Sequence, residues 1–581
     1  MRVRCMILRR MNSLGQSASL SWSDTPASER RIDTLAMIVL ALTATVFYAA
    51  TFNRSSYIYI LRADEGLSFA TAMRVLQGFV PQRDFPSYYG PVMPYLYALV
   101  FKIFGPSIAI MRAFWALLFV ISIAGFYRIG RYVLPPFAAF VAAFMIIGQQ
   151  HTPLYTYNHI GLVLACQGMT LLLLRAGTTK RPFSQIAFGA LLLLSLLIKF
   201  NEGVVFLVCI LAALWISRRL QNTNPADRRD DVTISPGSIL RPALIAVAGF
   251  AIVTAALNFG LSKSEFLRNF PILPQYQASI GGFKYVKFIT TLPFRSPWSS
   301  IPPRMWYIFW YENYMFSILI SFLLAITALI FIVRLFASRK FRLSLHTTIW
   351  KSGLLLAVAL GMYHEFYLTG NHWSTPMYIG FALLALTIVI WEQLPRFPKA
   401  RVLILSLLLL TCFVSGVNYV RIVRSTFSQV FLDSPSARIF SSADSDAKVV
   451  GEVVNFLKTS TLDEPIAAFP HDAFLVYLSG RRNAMRDDDY QWMLFPTEES
   501  DREIVQELEK KKVKHVLISS FAGIRHGKVA IFGSDFLPQT FAYLQSHYHT
   551  VRTFGPSTMR YAVEYRVLNE AVEDASAPSL P

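Results

Sequence analysis

Two adjacent carboxylates, Asp64 and Glu65, open the stretch of this chain whose residue types and order are best suited to chemistry. The order runs RADEGLSFATAMRVLQG over 62–78, RDFPSYYGP over 83–91, VMPYLYALVFKIFG over 92–105, and then Arg112. A carboxylate at the amino terminus of a helix is kept ionised by the free backbone N–H groups there. Such a group suits a general base or an electrostatic anchor better than an acid. Asp64 also fits a plain helix N-cap, which capping preference alone favours for an Asp before an amphipathic helix. Capping explains neither the second carboxylate nor the setting, because an apolar run ends just upstream and leaves the pair where a helix has come out of a bilayer. Chemistry on a lipid-linked substrate would take place there.

Two short elements must position this pair. Residues 65–77 form one amphipathic helix by periodicity, with Phe69, Ala72, Met73 and Leu76 on one face and Gly78 placed to end it. Residues 92–104 are apolar, but the run stops at Gly105 and Pro106, too short to cross a bilayer, and reads as a helix lying in the interface.

The surrounding chain is that of a multi-span membrane protein. Its 581 residues are 54% hydrophobic and 15% charged, with a mean hydropathy of +0.43. Eleven apolar runs recur between residues 35 and 414, and none alternates as a β-barrel strand would. The net charge of +20 is not a nucleic-acid signal, since from Arg421 onward 18 Lys/Arg face 21 Asp/Glu and the excess lies in the membrane part. Basic clusters at 30–31, 128–131, 175–181, 218–229, 334–342 and 396–401 fall at alternate ends of the spans. Assigning all of them to the cytoplasm gives about eleven transmembrane helices, an inner amino terminus and an outer carboxy-terminal segment. The first 31 residues lack an apolar core long enough for a cleaved signal peptide, so the first span reads as an uncleaved anchor. Cys5, Cys166, Cys209 and Cys412 form no CxxC motif and no disulfide framework.

The expected fold class is therefore an α-helical polytopic membrane protein with interfacial helices in its first outer loop and a C-terminal soluble α/β domain. The boundaries read as a cytoplasmic segment over 1–32, a transmembrane part over 33–420, an extracytoplasmic α/β domain over 421–569 and a disordered tail over 570–581. Within the third, 446–458, 500–512 and 536–546 read as helices, and PIAAF, VKHVLISS and MRYAVEYRV as strands.

The order of first span, DE pair, short helix, Asp, Gly-Pro, apolar segment ending in FG and then Arg resembles the GT-C superfamily of membrane glycosyltransferases. In style it is similar to the dolichyl-phosphate-mannose-type protein mannosyltransferases, the aminoarabinose transferases and the transferases of lipopolysaccharide core. The resemblance covers about residues 33–112, with support from KFNEG at 199–203 and the GNHW loop at 370–373. It implies a polyprenyl-phosphate-linked sugar donor, a glycan, lipid or protein acceptor and a bacterial cytoplasmic membrane setting with an extracytoplasmic site; no cofactor is expected, a divalent-metal requirement stays open, and the charge distribution speaks against nucleic acid. It also implies a catalytic acidic residue at the position of Asp64. Glu65 then either orients the acceptor or favours the helix dipole, and Asp84 either binds a sugar hydroxyl or pairs with Arg83.

A departing donor phosphate needs cations. Lys199, in a break between apolar runs together with Glu202, is the foremost candidate, ahead of Arg304 and its neighbours Lys284, Lys287 and Arg295; each also reads as a headgroup-facing charge. Aminoarabinose transferases carry a lysine just before the Pro that opens the interfacial segment. Here Tyr89 and Gly90 precede Pro91, which moves the phosphate contact elsewhere and leaves Tyr89 as a substrate-side aromatic. His372 either lines a sugar pocket or is a satisfied interfacial histidine, and HEF at 364–366 is not a metal-binding HExxH. Two other classes compete. A transporter or flippase of lipid-linked saccharides would carry ionisable residues along the middle of several spans, and a receptor would place its function in the C-terminal domain alone.

Overall fold

The computed structural model describes residues 27–51, 65–87, 90–148, 159–174, 182–222, 236–270, 348–362, 376–393, 398–426, 429–432, 439–442, 445–460, 464–490, 497–520, 522–525, 528–555 and 561–569. The chain divides into two compact units, one of Met1–Phe52, Phe114–Ala255 and Gly282–Arg424, the other of Asn53–Ala113, Ala256–Gly281 and Ser425–Pro581.

The first unit is helical. Its described elements are α1 (Ala27–Thr51), most of α4 (Ile108–Gly130), α5 (Pro136–Gly148), α6 (His159–Leu174), α7 (Pro182–Ile198), α8 (Phe200–Asn222), α9 (Pro236–Leu257), α11 (Thr348–Met362), α12 (Pro376–Gln393) and α13 (Pro398–Thr426). Three described helices, Ala27–Ala50, Ile108–Gly130 and Ile239–Leu257, are long and apolar enough to cross a membrane. Packing is close where side chains are small. A side chain on Gly380 would collide with the ring of Phe126, which sits edge-on to Phe381 at 5.0 Å. Some buried polar groups pair across helices: Gln167 donates to the Ser122 carbonyl at 2.9 Å, and Asp33 accepts from Tyr127 and Arg131, both at 2.6 Å.

The second unit combines two loop pieces, 53–113 and 256–281, with the carboxy-terminal segment. From the first loop come α2 (Gly66–Leu76) and α3 (Val92–Phe104), matching the expected helices to within a residue at either end. Gly78 and Gly105 follow them at φ +92° and +88°, a conformation open to glycine, which is why the helices stop there. The two helices pack on each other, with Phe69 against Phe101 at 5.2 Å. The 256–281 piece supplies α10 (Lys263–Asn269), opened by a capping box between Ser262 and Glu265.

After Ser425 come a hairpin β1–β2 (Gln429–Leu432, Ile439–Ser442), α14 (Ser445–Thr459), β3 (Ile466–Phe469), α15 (Ala473–Leu478), α16 (Glu498–Lys511), β4 (His515–Ser519), a second hairpin β5–β6 (Ala522–Arg525, Lys528–Ile531), α17 (Pro538–His547), β7 (Tyr548–Phe554) and β8 (Val563–Leu568). The main sheet has the order β3-β4-β8-β7, with β3 and β4 parallel and the other neighbours antiparallel. Every residue of β3 and β4 is buried, as expected for strands with both faces covered. Ala467, Phe469, Val516 and Ile518 build the core with Ile504 and Leu508 of α16 and Leu544 of α17. Asp501 of α16 caps α17 across this core: its carboxylate accepts from the Gln539 and Thr540 backbone N–H groups at 2.8 and 2.9 Å and from the Thr540 hydroxyl at 2.5 Å. The hairpins and β7 are strands that the sequence did not announce, and α17 starts two residues late because Pro538 takes the first helical position. The carboxy-terminal segment does not stand alone as a unit; the two loop pieces belong to it.

Candidate active site

Glu65 is the N-cap residue of α2, already in helical conformation and without a capping hydrogen bond of its own. Its carboxylate is turned to Arg112 of α4 instead. Arg112 Nε donates to Oε1 at 2.5 Å and Nη2 to Oε2 at 2.7 Å, a two-pronged pair with both side chains wholly buried. Both carboxylate oxygens of Glu65 thus engage a guanidinium, sealed from solvent. Asp64, its neighbour in sequence, lies outside the described residues, as do Tyr89, Arg304 and His372.

Nine residues along α2 stands its one charged side chain, Arg74. Nε donates to the Tyr477 hydroxyl at 2.8 Å, Nη2 to the Met485 carbonyl at 2.6 Å and to Asp488 Oδ1 at 2.9 Å, and Nε lies 2.7 Å from Asp488 Oδ2. The Phe85 ring lies 5.3 Å from the guanidinium carbon. Burial works against the Arg74 charge, but Asp488 and Tyr477 outweigh it and hold the guanidinium above its ordinary range. Asp488 is fixed in turn by Asn483 at 2.7 Å and by Tyr477 at 3.1 Å.

Asp84 lies against Arg83. Arg83 grips both of its oxygens at 2.8 Å, the Val80 N–H donates to it at 2.7 Å, and the Arg83 hydrogen bond is the main reason its carboxyl is held below the usual range. This turn is tied to α10: the Asn269 amide donates to the Gln82 carbonyl at 2.7 Å, and the Ser87 N–H donates to Asn269 Oδ1 at 3.2 Å. Arg486 pairs with Glu265 of α10 at 2.7 Å. Arg268 reaches Glu503 at 3.0 Å and stands 3.7 Å from Asp487. Burial is the main cause that pushes the Asp487 carboxyl up to about 6, against the pull of Arg268.

In the other unit, Lys199 is a single non-helical residue between α7 and α8, and Glu202 lies in the first turn of α8. The break is tight, since the Lys199 N–H still donates to Ser195 and the Gly203 N–H to the Lys199 carbonyl. Both side chains are buried, as is His159 at the start of α6. Among the described residues no group of three His, Cys, Asp or Glu has metal-site geometry. The structure thus brings Glu65 to Arg112, Asp84 to Arg83, and Lys199 and Glu202 to one kink. Arg74, Arg268, Asn269, Tyr477 and the 486–489 run were not singled out in the sequence. The signals that could have found them are the lone charge in α2 and the three consecutive aspartates of RDDDY.

Residues 86–226 match the family model described as dolichyl-phosphate-mannose-protein mannosyltransferase. The match takes in Arg112, Lys199 and Glu202 and begins ten residues after the end of α2. Among solved structures, the oligosaccharyltransferase of Archaeoglobus fulgidus in complex with Zn and sulfate is similar at 14% identity and a TM-score of 0.50, over 83% of this chain and 68% of that one. This chain has the GT-C fold. ArnT of Cupriavidus metallidurans, solved bound to undecaprenyl phosphate, is similar to this chain over 92% of its length and 97% of that chain, at 12% identity and a TM-score of 0.46. A search of curated proteins finds no match.

Proposed function

We propose that this chain is an integral-membrane glycosyltransferase that moves a sugar from a polyprenyl-phosphate donor to an envelope glycan, lipid or protein, with inversion, at the extracytoplasmic face. The observation that carries the reading is the mannosyltransferase-family match over 86–226, which adjoins the acidic loop and contains the Arg112 that clasps Glu65. In this reading Glu65 acts through Arg112 by fixing the start of α2, and Asp64 is the carboxylate that meets the acceptor. The acceptor oxygen forms a bond to the anomeric carbon as that carbon's bond to the phosphate oxygen breaks. The electron pair leaves with the polyprenyl phosphate, and the acceptor proton passes to Asp64. Lys199 and Arg304 are the cations assigned to the departing phosphate, with Tyr89 and His372 on the sugar side and Glu202 as the buried counter-charge in the Lys199 kink. The placing of basic clusters supports eleven spans with the carboxy-terminal segment outside.

Asp64→Asn tests this reading. Asparagine caps a helix about as well as aspartate but is no base. Transfer from a purified polyprenyl-phosphate sugar should fall about a hundredfold or more while the protein still accumulates in membranes. Retention of more than about half the activity would remove Asp64 from the mechanism. A flippase would instead move the lipid-linked sugar across vesicles with no transfer to any acceptor.

A further inference from the structure

The elements of the second unit are joined by charged and polar side chains that meet at one short run. Arg486, Asp487, Asp488 and Asp489 follow α15 in sequence, and three of the four reach away from the sheet. Asp488 holds Arg74 of α2, Asp487 faces Arg268 of α10, and Arg486 pairs with Glu265 of α10 and reaches the Gln82 and Arg83 carbonyls at 3.5 and 3.3 Å. Asp489 turns the other way, to His471 at 2.6 Å.

The grip on α2 is the most elaborate of these. Besides the Phe85 ring, the Arg74 guanidinium meets a phenol, a backbone carbonyl and a carboxylate, all three from residues 477–488. The Arg74 side chain is 4% exposed and the Asp488 side chain 3%, so the pair is held without competing water. The rest of α2 is GLSFATAM before Arg74 and VL after it, so Arg74 is the one charged side chain the helix offers to the carboxy-terminal segment. Apolar packing such as Phe69 on Phe101 resists separation but tolerates sliding and rotation. A forked guanidinium between fixed acceptors does not, because its hydrogen bonds set angle as well as distance. Arg74 lies nine residues after Glu65, about 13 Å along the helix axis. It therefore fixes the far end of the rod whose near end is clasped by Arg112.

We propose that the carboxy-terminal segment is the positioning device of α2: Asp488, with Tyr477 and Asn483 holding it in place, sets the rotation and tilt of α2 through Arg74 and so the placement of Glu65 at its start, the residue next to Asp64 in sequence. The segment is then an obligatory part of the transfer site, and Arg74 and Asp488 are positioning residues that touch no substrate. The inference rests on the acidic loop being the site of transfer. Misplacing a reacting group by about 1 Å costs up to a hundredfold in rate, whereas donor affinity, set by other residues, is spared.

The experiment uses the full-length protein in detergent or nanodiscs. Transfer kinetics with a purified polyprenyl-phosphate sugar are normalised to folded protein. Asp488→Asn keeps the shape and an acceptor but removes the charge, and Arg74→Lys keeps the charge but removes the fork. Both should lower kcat about tenfold or more, with the donor KM within about twofold. Asp488→Glu should recover a substantial part of kcat. Tyr477→Phe, which removes one hydroxyl and keeps the ring, should lower kcat about threefold and serves if the charge variants do not fold. A role in stability alone would lower yield and thermal midpoint but leave kcat per folded molecule unchanged in all of them, and that result overturns the proposal. Asp64→Asn run alongside separates the two readings. If it is inactive while the Arg74 and Asp488 variants turn over normally, only the positioning role fails; if it is active, the acidic loop itself is not the site.

Discussion

Replacing Glu65 by Gln removes one charge from a pair in which both side chains are wholly buried, and leaves the Arg112 guanidinium without its carboxylate. The pair is joined at 2.5 and 2.7 Å, so the single substitution abolishes a two-pronged charge-assisted contact. Breaking a buried pair from one side costs about 3–5 kcal/mol, most of it from the charge left behind. Removing both charges costs far less, because no uncompensated ion remains. Glu65→Gln and Arg112→Gln should therefore each lower the thermal midpoint of the purified protein by several degrees. The double variant should recover more than half of that loss, a coupling of about 2 kcal/mol or more. Intrinsic fluorescence during heating reads the midpoint, and sugar transfer per folded molecule reads the consequence. If Glu65 acts only by fixing the start of α2, the stable double variant should regain part of the transfer lost in Glu65→Gln. Additive single effects on the midpoint would refute the pair as a buried unit. A fully inactive but stable double variant would refute the positioning role and return Glu65 to the chemistry.

Two further predictions concern the carboxy-terminal segment. Asp487 has its carboxyl pushed up from an ordinary 3.8 to about 6, so between those pH values the folded protein holds a proton that the unfolded chain has lost. Its unfavourable contribution is present above pH 6 and is relieved as pH falls towards 4, which amounts to about 3 kcal/mol at most. Asp487→Asn should flatten the pH dependence of the thermal midpoint between pH 4.5 and 7.5, and identical slopes in the two proteins would contradict this. Asp501→Ala strips the α17 amino terminus of the acceptor for the Gln539 and Thr540 N–H groups. It should cost about 2 kcal/mol, and hydrogen exchange at residues 539–544 should speed up first; unchanged exchange there would show that the cap is dispensable.

Much of the second unit's local structure was legible in the sequence. The helices over 66–76 and 92–104 follow from apolar spacing, and they end where Gly78 and Gly105 adopt positive φ. Strands β3, β4 and β8 and helices α14 and α16 follow from runs whose periodicity is set within ten or fifteen residues. The hairpin β5–β6 is not legible because the HG dipeptide between its strands carries only a weak turn signal, and β7 because its middle is exposed and polar. The acidic pair and the Lys199 break were likewise visible as residue types in an order. Their partners were not. Asp84 pairs with the residue beside it, while Glu65 pairs across 47 residues and Arg74 across 414. Helix and strand preferences are properties of neighbouring backbone and side chains and can be read locally. Which carboxylate meets which guanidinium depends on how the chain returns upon itself, and burial then makes each such meeting obligatory, because a charge removed from water must find its counter-charge wherever the fold has carried it.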